Sequence, residues 1–188
     1  MGMYKYMKES IISEYKERPA EYKQRLVEWN TAPTVARIAK PTNIARAREL
    51  GYKAKEGIIV VRVKVGKGKH KRAQPGGGRK PSRSGRFFSG KKSAQSIAEE
   101  KAARKYSNFE VTNSYFIGST GQRQFYEVIL MNPSDRTIRN DRIQSQITKQ
   151  KGRAYRGLTS SGKRHRGLRH KGIGAEKVRP SVRQNERH

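Results

Sequence analysis

The sequence predicts an α+β domain with a largely antiparallel sheet, extended by long basic segments. Helical periodicities alternate with short apolar strands, and the pattern closes on a hairpin. A charge-balanced block, residues 93–141, separates two cationic segments that are rich in glycine and poor in apolar residues. We therefore expect residues 1–65 and 93–148 to form a single domain. Residues 66–92 and 149–188 are expected to be basic extensions that stay disordered without a partner.

The N-terminal region predicts two helices, because apolar side chains recur there at helical spacing. Pro19 opens the second helix, at a favoured first-turn position. The recurring residues are Tyr4, Met7, Ile11 and Tyr15 in the first helix, and Tyr22, Leu26 and Trp29 in the second. "TVARIAK", which begins at Thr34, then alternates as a short strand.

A third helix and a strong strand follow. "PTNIARARELG" predicts a short helix with Thr42 or Asn43 as N-cap and Gly51 as terminator. "GIIVVRVKV" is the clearest strand, with alternating faces. Its first face carries Ile59, Val61, Val63 and Val65, and its second face ends in Arg62 and Lys64.

After the internal extension, the pattern predicts a helix and a hairpin. In "SAQSIAEEKAARKY", Ser96 and Glu99 have capping-box spacing, and Glu100 is placed to pair with Arg104. The expected buried stripe consists of Ala94, Ile97, Ala98 and Ala102. "NFEVTNSYFIG" and "RQFYEVILM" are strands joined by "STGQ". Ile138, Ile143 and Ile147 indicate one further helical piece, and from Lys149 onward no element is predicted.

The charge of the chain restricts its possible partners. The formal net charge is +29 and hydrophobic residues make up only 32% of the chain, so a polyanion is needed to offset self-repulsion. The absence of cysteine excludes disulfides and cysteine-ligated metal sites. No apolar run approaches the roughly 20 residues of a membrane span. The N-terminus lacks the apolar region of a secretory signal, so we expect a cytoplasmic location without membrane partners.

An enzymatic function is not indicated. "GLTSSGKR", residues 157–164, is close to the phosphate-binding loop G-x-x-x-x-G-K-[ST], but Arg164 replaces the hydroxyl residue that holds magnesium. No buried strand is predicted before this motif. The histidines lie in the basic segments without a carboxylate beside His165 or His170 to orient them, which disfavours a metal or a catalytic site. We expect no catalytic residue, cofactor, metal or small-molecule substrate.

Nucleic acid is the best-fitting partner among the alternatives. A merely solvated surface leaves the size of the charge unexplained, and membrane binding requires more apolar residues beside the cations. Lys and Arg neutralise phosphates, and no groove-reading motif typical of DNA-binding proteins is present. Folded RNA offers crevices into which a cationic segment can thread. Phe87, Phe88 and Tyr155 are candidates for stacking on bases, although packing against the domain is an equal alternative.

The chain also resembles the fifteen-e protein family of the large ribosomal subunit, found in archaea and eukaryotes. The blocks "MYKYMKE", "LGYKAKEG", "VTNSYF" and "RGLTSSGK" carry the resemblance, which covers nearly the whole chain. It is weakest in residues 66–92 and 141–150. The length and simple basic tail fit an archaeal member better than a eukaryotic one.

The resemblance implies a structural protein without catalytic activity. Its fold would be a small domain with a four-stranded, mainly antiparallel sheet and packed helices. Its extensions would lie against large-subunit ribosomal RNA and neighbouring ribosomal proteins. The matching basic positions are Arg46, Arg48, Lys53, Lys55, Arg62, Lys64, Arg156, Lys163, Arg164, Arg166, Arg169 and Lys171. For Arg46 and Arg62, the alternative is an ion pair with a glutamate of the same domain.

The charge pattern adds further candidate RNA-binding residues in the two extensions. They are Lys67, Lys69, Lys71, Arg72, Arg79, Lys80, Arg83, Arg86, Lys91, Lys92, Lys151 and Arg153. The alternative function is a free-standing nucleic-acid chaperone or chromatin-like protein. The charge-balanced folded block argues against it, because a purely electrostatic binder would not need such a block.

Overall fold

The computed structural model describes residues 2–68, 70–88, 92–169 and 172. The first half contains helices α1 (Met3–Glu17), α2 (Ala20–Thr31) and α3 (Ile44–Glu49), and strands β1 (Val35–Ile38), β2 (Ile58–Gly66), β3 (His70–Lys71) and β4 (Phe87–Phe88). The second half contains α4 (Ala94–Lys105), β5 (Glu110–Ser119), β6 (Arg123–Met131), α5 (Arg136–Arg139), α6 (Ser145–Thr148) and α7 (Ser160–His165).

The main sheet has four strands in the order β1-β2-β6-β5, and every neighbouring pair is antiparallel. Strands β2 and β6 form its centre, with Val61 opposite Val128. Strands β5 and β6 form the predicted hairpin, and two register shifts in β5 bend this edge of the sheet. The α+β fold with a four-stranded antiparallel sheet is thus confirmed.

Helices cover both faces of the sheet. On one face, Val61, Val63 and Val128 pack against Ala98 and Ala102 of α4. The opposite face buries Val60 and Ile129 beneath α3 and α5, and Phe125 beneath α2. Because β6 is buried on both sides, its sequence is an almost continuous apolar run rather than an alternating one.

The N-terminal helices differ in how deeply they pack. Tyr22, Leu26 and Trp29 of α2 are buried, as their spacing predicts, whereas no residue of α1 is buried. Helix α2 lies close to β5 at Gly118, where an added Cβ would be 2.5 Å from the Tyr22 hydroxyl. The absence of a side chain at Gly118 therefore sets the distance between α2 and the sheet.

The structure corrects the prediction for the start of α4. Ser93, not Ser96, is the N-cap, and its hydroxyl accepts a hydrogen bond from the Ser96 backbone N–H at 3.2 Å. Glu99 is 1% exposed and belongs to the interior, so the capping-box prediction is wrong. Glu100 forms an ion pair with Lys92 at 2.6 Å. In α3, Asn43 is the N-cap, which decides between the two predicted candidates.

The region after β6 contains more structure than the apolar pattern predicts. The single helical piece expected there is divided into α5 and α6, with Ile138 fully buried and Ile143 74% exposed. Residues 151–157 form turns, and α7 follows where no element was predicted. Apolar periodicity missed this segment because polar side chains and glycines hold it to the domain.

Candidate nucleic-acid interface

The internal extension leaves the sheet at the end of β2 and returns at the start of α4. Its ends form a two-stranded ribbon, in which β3 pairs antiparallel with β4. The backbone N–H of Arg72 extends this pairing with a 3.0 Å hydrogen bond to the Arg86 carbonyl. Pro81–Arg83 form one 3-10 turn, and residues 72–83 are all exposed. The described part of the extension, residues 70–88, therefore has a defined backbone, and its residues 72–83 are exposed to solvent.

Among these cations, Arg79, Lys80 and Arg83 have no side-chain hydrogen bond or ion pair within the described ranges. Lys67 donates to the Thr120 carbonyl, and Lys92 pairs with Glu100. Lys69 and Lys91 lie outside the described residues, as does the side chain of Lys71. Phe87 and Phe88 form β4, but their side chains also lie outside the described part.

The predicted cations of the central block are engaged within the domain. Arg46 pairs with Glu49 at 2.9 Å, and Arg48 donates to the Tyr4 hydroxyl. The other four cations of this block, Lys53, Lys55, Arg62 and Lys64, also have partners within the domain. Lys53 and Lys55 reach Asp141 at 2.6 and 3.0 Å, and Lys64 donates to the backbone carbonyls of Asn30 and Ala32.

Arg62 has the most enclosed position of this group. Its guanidinium lies 4.4 Å from the Trp29 ring centroid and 3.4 Å from the Glu127 carboxylate. Glu127 is fully buried and accepts further hydrogen bonds from Thr42 and the Tyr115 hydroxyl. Burial and the neighbouring Glu127 charge raise the pKa of Tyr115 well above its usual range, so this phenol stays protonated as a donor. Arg62 thus compensates a buried carboxylate.

A second buried carboxylate holds the C-terminal segment against α4. Glu99 accepts hydrogen bonds from the Ser114 hydroxyl and, at 2.6 Å, from the Thr159 hydroxyl. Burial raises the pKa of Glu99, while the two hydroxyl donors act in the opposite direction. Thr159 is itself fully buried and caps α7 by accepting from the Gly162 N–H at 3.0 Å. The Glu110 carboxylate also holds this segment, because it accepts hydrogen bonds from the backbone N–H groups of residues 152 and 153.

The glycines of "GLTSSGKR", the motif that is close to a phosphate-binding loop, have a packing role. A Cβ on Gly162 would lie 2.6 Å from the Gly157 Cα, so the two backbones are in direct contact. Gly157 has a φ of +63°, which glycine adopts without strain. Turns rather than a buried strand precede the motif, as the sequence predicts. These observations explain the glycine spacing without a nucleotide.

The C-terminal cations fall into two groups. Arg153, Arg156 and Arg166 donate to backbone carbonyls, and Arg169 donates to the Ser160 hydroxyl. In the described part of the chain, the exposed side chains of Lys151, Lys163 and Arg164 have no such partner. Lys171 lies outside the described residues. Tyr155 is 52% exposed, and its hydroxyl is 3.4 Å from the Glu100 carbonyl.

Several residues of this region were missed by sequence reasoning. Thr159 and Glu99 are separated by 60 positions, and nothing in the sequence pairs them. One local signal was available, because Thr159 stands directly before "SSGKRH" as a favoured N-cap residue. The described ranges contain no cluster of three metal-ligating side chains, and none of their helices is long and apolar enough to cross a membrane.

A comparison with protein-family models gives a match over almost the entire chain. The matching family is described as Ribosomal L15, and the match covers residues 2–185 of 188. Only residue 1 and residues 186–188 fall outside these limits. The chain therefore belongs to the ribosomal L15e family of large-subunit ribosomal proteins.

Proposed function

We propose that this protein is a structural constituent of the large ribosomal subunit that binds and stabilises folded ribosomal RNA through its two basic segments. Family membership supports the ribosomal location in the cytoplasm and a structural rather than catalytic role. The RNA contacts are assigned to the internal extension and to the surface formed by residues 151–169. Neighbouring ribosomal proteins are the second class of partner.

One observation carries this proposal: the distribution of unpaired cations. The central cations, Arg46 to Lys64, already have partners in the domain, whereas Arg79, Lys80 and Arg83 have none there. Lys151, Lys163 and Arg164 are equally free in the described part. A guanidinium or ammonium group without a protein partner is available to replace counterions on RNA phosphates. The central cations are thus assigned to folding, and the unpaired cations of the two basic segments to RNA.

Sedimentation distinguishes this function from that of a free nucleic-acid chaperone. A cell lysate is separated on a sucrose gradient in high-magnesium buffer, and the protein is detected in each fraction. Exclusive migration with the large subunit is expected for a fixed constituent. A spread into the light fractions or onto the nucleoid would favour the chaperone or chromatin-like alternative.

A salt series with matched variants tests the assigned residues. The triple change Arg79→Gln, Lys80→Gln and Arg83→Gln removes three unpaired cations of the extension. The slope of log K against log salt for a large-subunit RNA transcript should flatten by roughly 2–3 units. The control variant replaces Lys16, Lys23 and Arg37 with Gln. It removes the same number of charges from exposed positions on the domain. Equal effects of the two triple variants would indicate unspecific attraction and contradict the assignment.

Contacts with neighbouring proteins are assigned to the exposed apolar side chains of α1 and α2. Tyr6, Ile12 and Val27 are 61%, 53% and 65% exposed there. Some of the charges on these helices are paired within the protein, as in the Arg25–Glu14 ion pair. Crosslinking from position 12 in assembled subunits should capture a protein, and capture of RNA alone would contradict this assignment.

A further inference from the structure

A pocket of about 390 Å³ lies between the start of α4 and helix α7, and its lining residues all carry polar groups. Ser93 and Gln95 line it from α4, and Ser161, Arg164 and His165 line it from α7. None of the five lining residues is a carboxylate. The two carboxylates of α4 are engaged elsewhere, Glu99 with hydroxyl groups and Glu100 with Lys92. The pocket therefore combines positive charge with hydrogen-bonding groups.

The lining of the pocket is fixed by a network of hydroxyl groups. Ser161 is 5% exposed, and its Oγ lies 2.8 Å from the Ser96 Oγ and 3.2 Å from the Ser93 Oγ. The Ser96 Oγ also lies 3.1 Å from Nδ1 of His165. This contact holds the imidazole ring and leaves Nε2 without a partner in the described part of the chain. Arg164, the preceding residue, is exposed and also has no side-chain partner among the described residues.

The orientation of the Gln95 amide follows from its neighbours. Its Nε2 lies 2.9 Å from the backbone carbonyl oxygen of Ser114 and 2.9 Å from the Ser114 hydroxyl. Because a carbonyl only accepts hydrogen bonds, the nitrogen must face Ser114. The other amide atom, the oxygen Oε1, has no hydrogen-bond partner in the described ranges. Gln95 therefore offers the pocket an acceptor, next to the Arg164 guanidinium and Nε2 of His165.

Building on the RNA-binding function proposed above, we propose that this pocket binds one ribose-phosphate unit of RNA. The phosphate lies against the Arg164 guanidinium and Nε2 of His165. The ribose 2′-hydroxyl donates to Oε1 of Gln95. A phosphate alone would not use the acceptor, and DNA has no hydroxyl to donate to it. Gln95 is thus the residue that distinguishes RNA from DNA at this site.

Two variants with matched controls test the two halves of the site. The probes are a 12-nucleotide RNA and the DNA of the same sequence, titrated against the full chain. Arg164→Gln should weaken binding to both and reduce the salt slope by about 1 unit. Gln95→Met should lower the RNA-to-DNA affinity ratio about fivefold with an unchanged slope. The controls are Arg104→Gln and Gln24→Met, at exposed positions outside the pocket.

A measurement on the unmodified protein guards against variants that fold poorly. Side-chain ¹⁵N resonances of His165 and Gln95 should both shift on titration with the RNA, and DNA should move that of His165 alone. One outcome would refute the pocket without refuting RNA binding. In that case the RNA binds with steep salt dependence, but both variants bind like their controls and neither the His165 nor the Gln95 resonance shifts. If the chain fails to bind RNA at all, the proposed function fails first, and the pocket with it.

Discussion

Replacing Thr159 with valine should release the C-terminal segment from the domain. The Thr159 hydroxyl donates to the buried Glu99 carboxylate at 2.6 Å and accepts from the Gly162 N–H at 3.0 Å. Valine has almost the same shape but makes neither hydrogen bond. The variant therefore removes one buried polar contact of residues 151–169 without leaving a large cavity, while the Glu110 contacts with residues 152 and 153 remain.

The expected loss of free energy follows from these two bonds. A hydrogen bond to a charged group contributes about 1.5–3 kcal/mol, and an N-cap contributes about 1 kcal/mol. Since one hydroxyl makes both bonds, the contributions overlap, and we expect a loss of about 2–3 kcal/mol in the free energy that holds the segment closed. At 1.4 kcal/mol per factor of ten, the open population rises roughly 30- to 150-fold.

Limited trypsin digestion of the RNA-free protein measures this opening. When opening and closing are faster than cleavage, the cleavage rate follows the open population. Cleavage after Arg156 and Lys163, followed by mass spectrometry, should accelerate by the factor given above. Thr31→Val is the control, because that exposed hydroxyl reaches only backbone carbonyls of its own helix, on Val27 at 3.4 Å and on Glu28 at 2.9 Å. Its effect should stay within about 0.5 kcal/mol.

Two results would refute this reasoning. If wild-type protein is already cut after Lys163 as fast as a urea-unfolded reference, the segment is not docked without RNA, as the composition alone predicts. If wild type resists cleavage and the Thr159→Val variant resists it equally, the segment is docked, but the Glu99 contact does not hold it.

Three further predictions concern the domain. Gly118→Ala should lower the free energy of unfolding by about 1–3 kcal/mol because the new Cβ meets the Tyr22 hydroxyl, and Gly121→Ala, with open space around it, is the control in the same urea titration. Two lysine ammonium groups hold the pKa of Asp141 well below its ordinary 3.8, so its stabilisation is present above that pH and is lost in more acidic solution. Wild type should therefore exceed Asp141→Asn in stability at pH 7 and approach it at pH 2, and a constant difference would contradict the ion-pair account. Burial raises the pKa of Glu99 above 4.5, so ionisation of this carboxyl lowers the stability of the folded protein, and that stability returns as the pH falls from the raised pKa towards 4.5. Glu99→Gln should abolish this component of the pH dependence in urea unfolding between pH 4.5 and 8. An unchanged profile would show that Glu99 does not contribute it.

The two central strands and the hairpin of the fold were predictable from the sequence. Alternation in residues 58–66, the apolar run in 123–131 and the turn residues between β5 and β6 are local signals, and the structure has these elements. The buried positions of α2 follow from helical spacing in the same way. Local periodicity records which side of an element is apolar, so one sequence was sufficient for these features.

The partners of charged and polar residues were decided only by the tertiary structure. Lysine and arginine in the central block look alike in sequence to those in the extensions. Arg62 nevertheless lies on Trp29 beside Glu127, 65 positions away, whereas Arg164 remains unpaired. The Glu99–Thr159 bond likewise joins α4 to a segment that the sequence indicates as disordered.

The sequence by itself determined the four strands of the main sheet, the sign and placement of the charge and the family resemblance. The tertiary structure decided which cations have partners within the domain and which of the described cations have none. The physical reason is that burial of a carboxylate depends on strand register and helix docking, which bring together residues far apart in the chain. A buried carboxylate then requires a nearby donor or cation, and that requirement is visible only once the chain has folded.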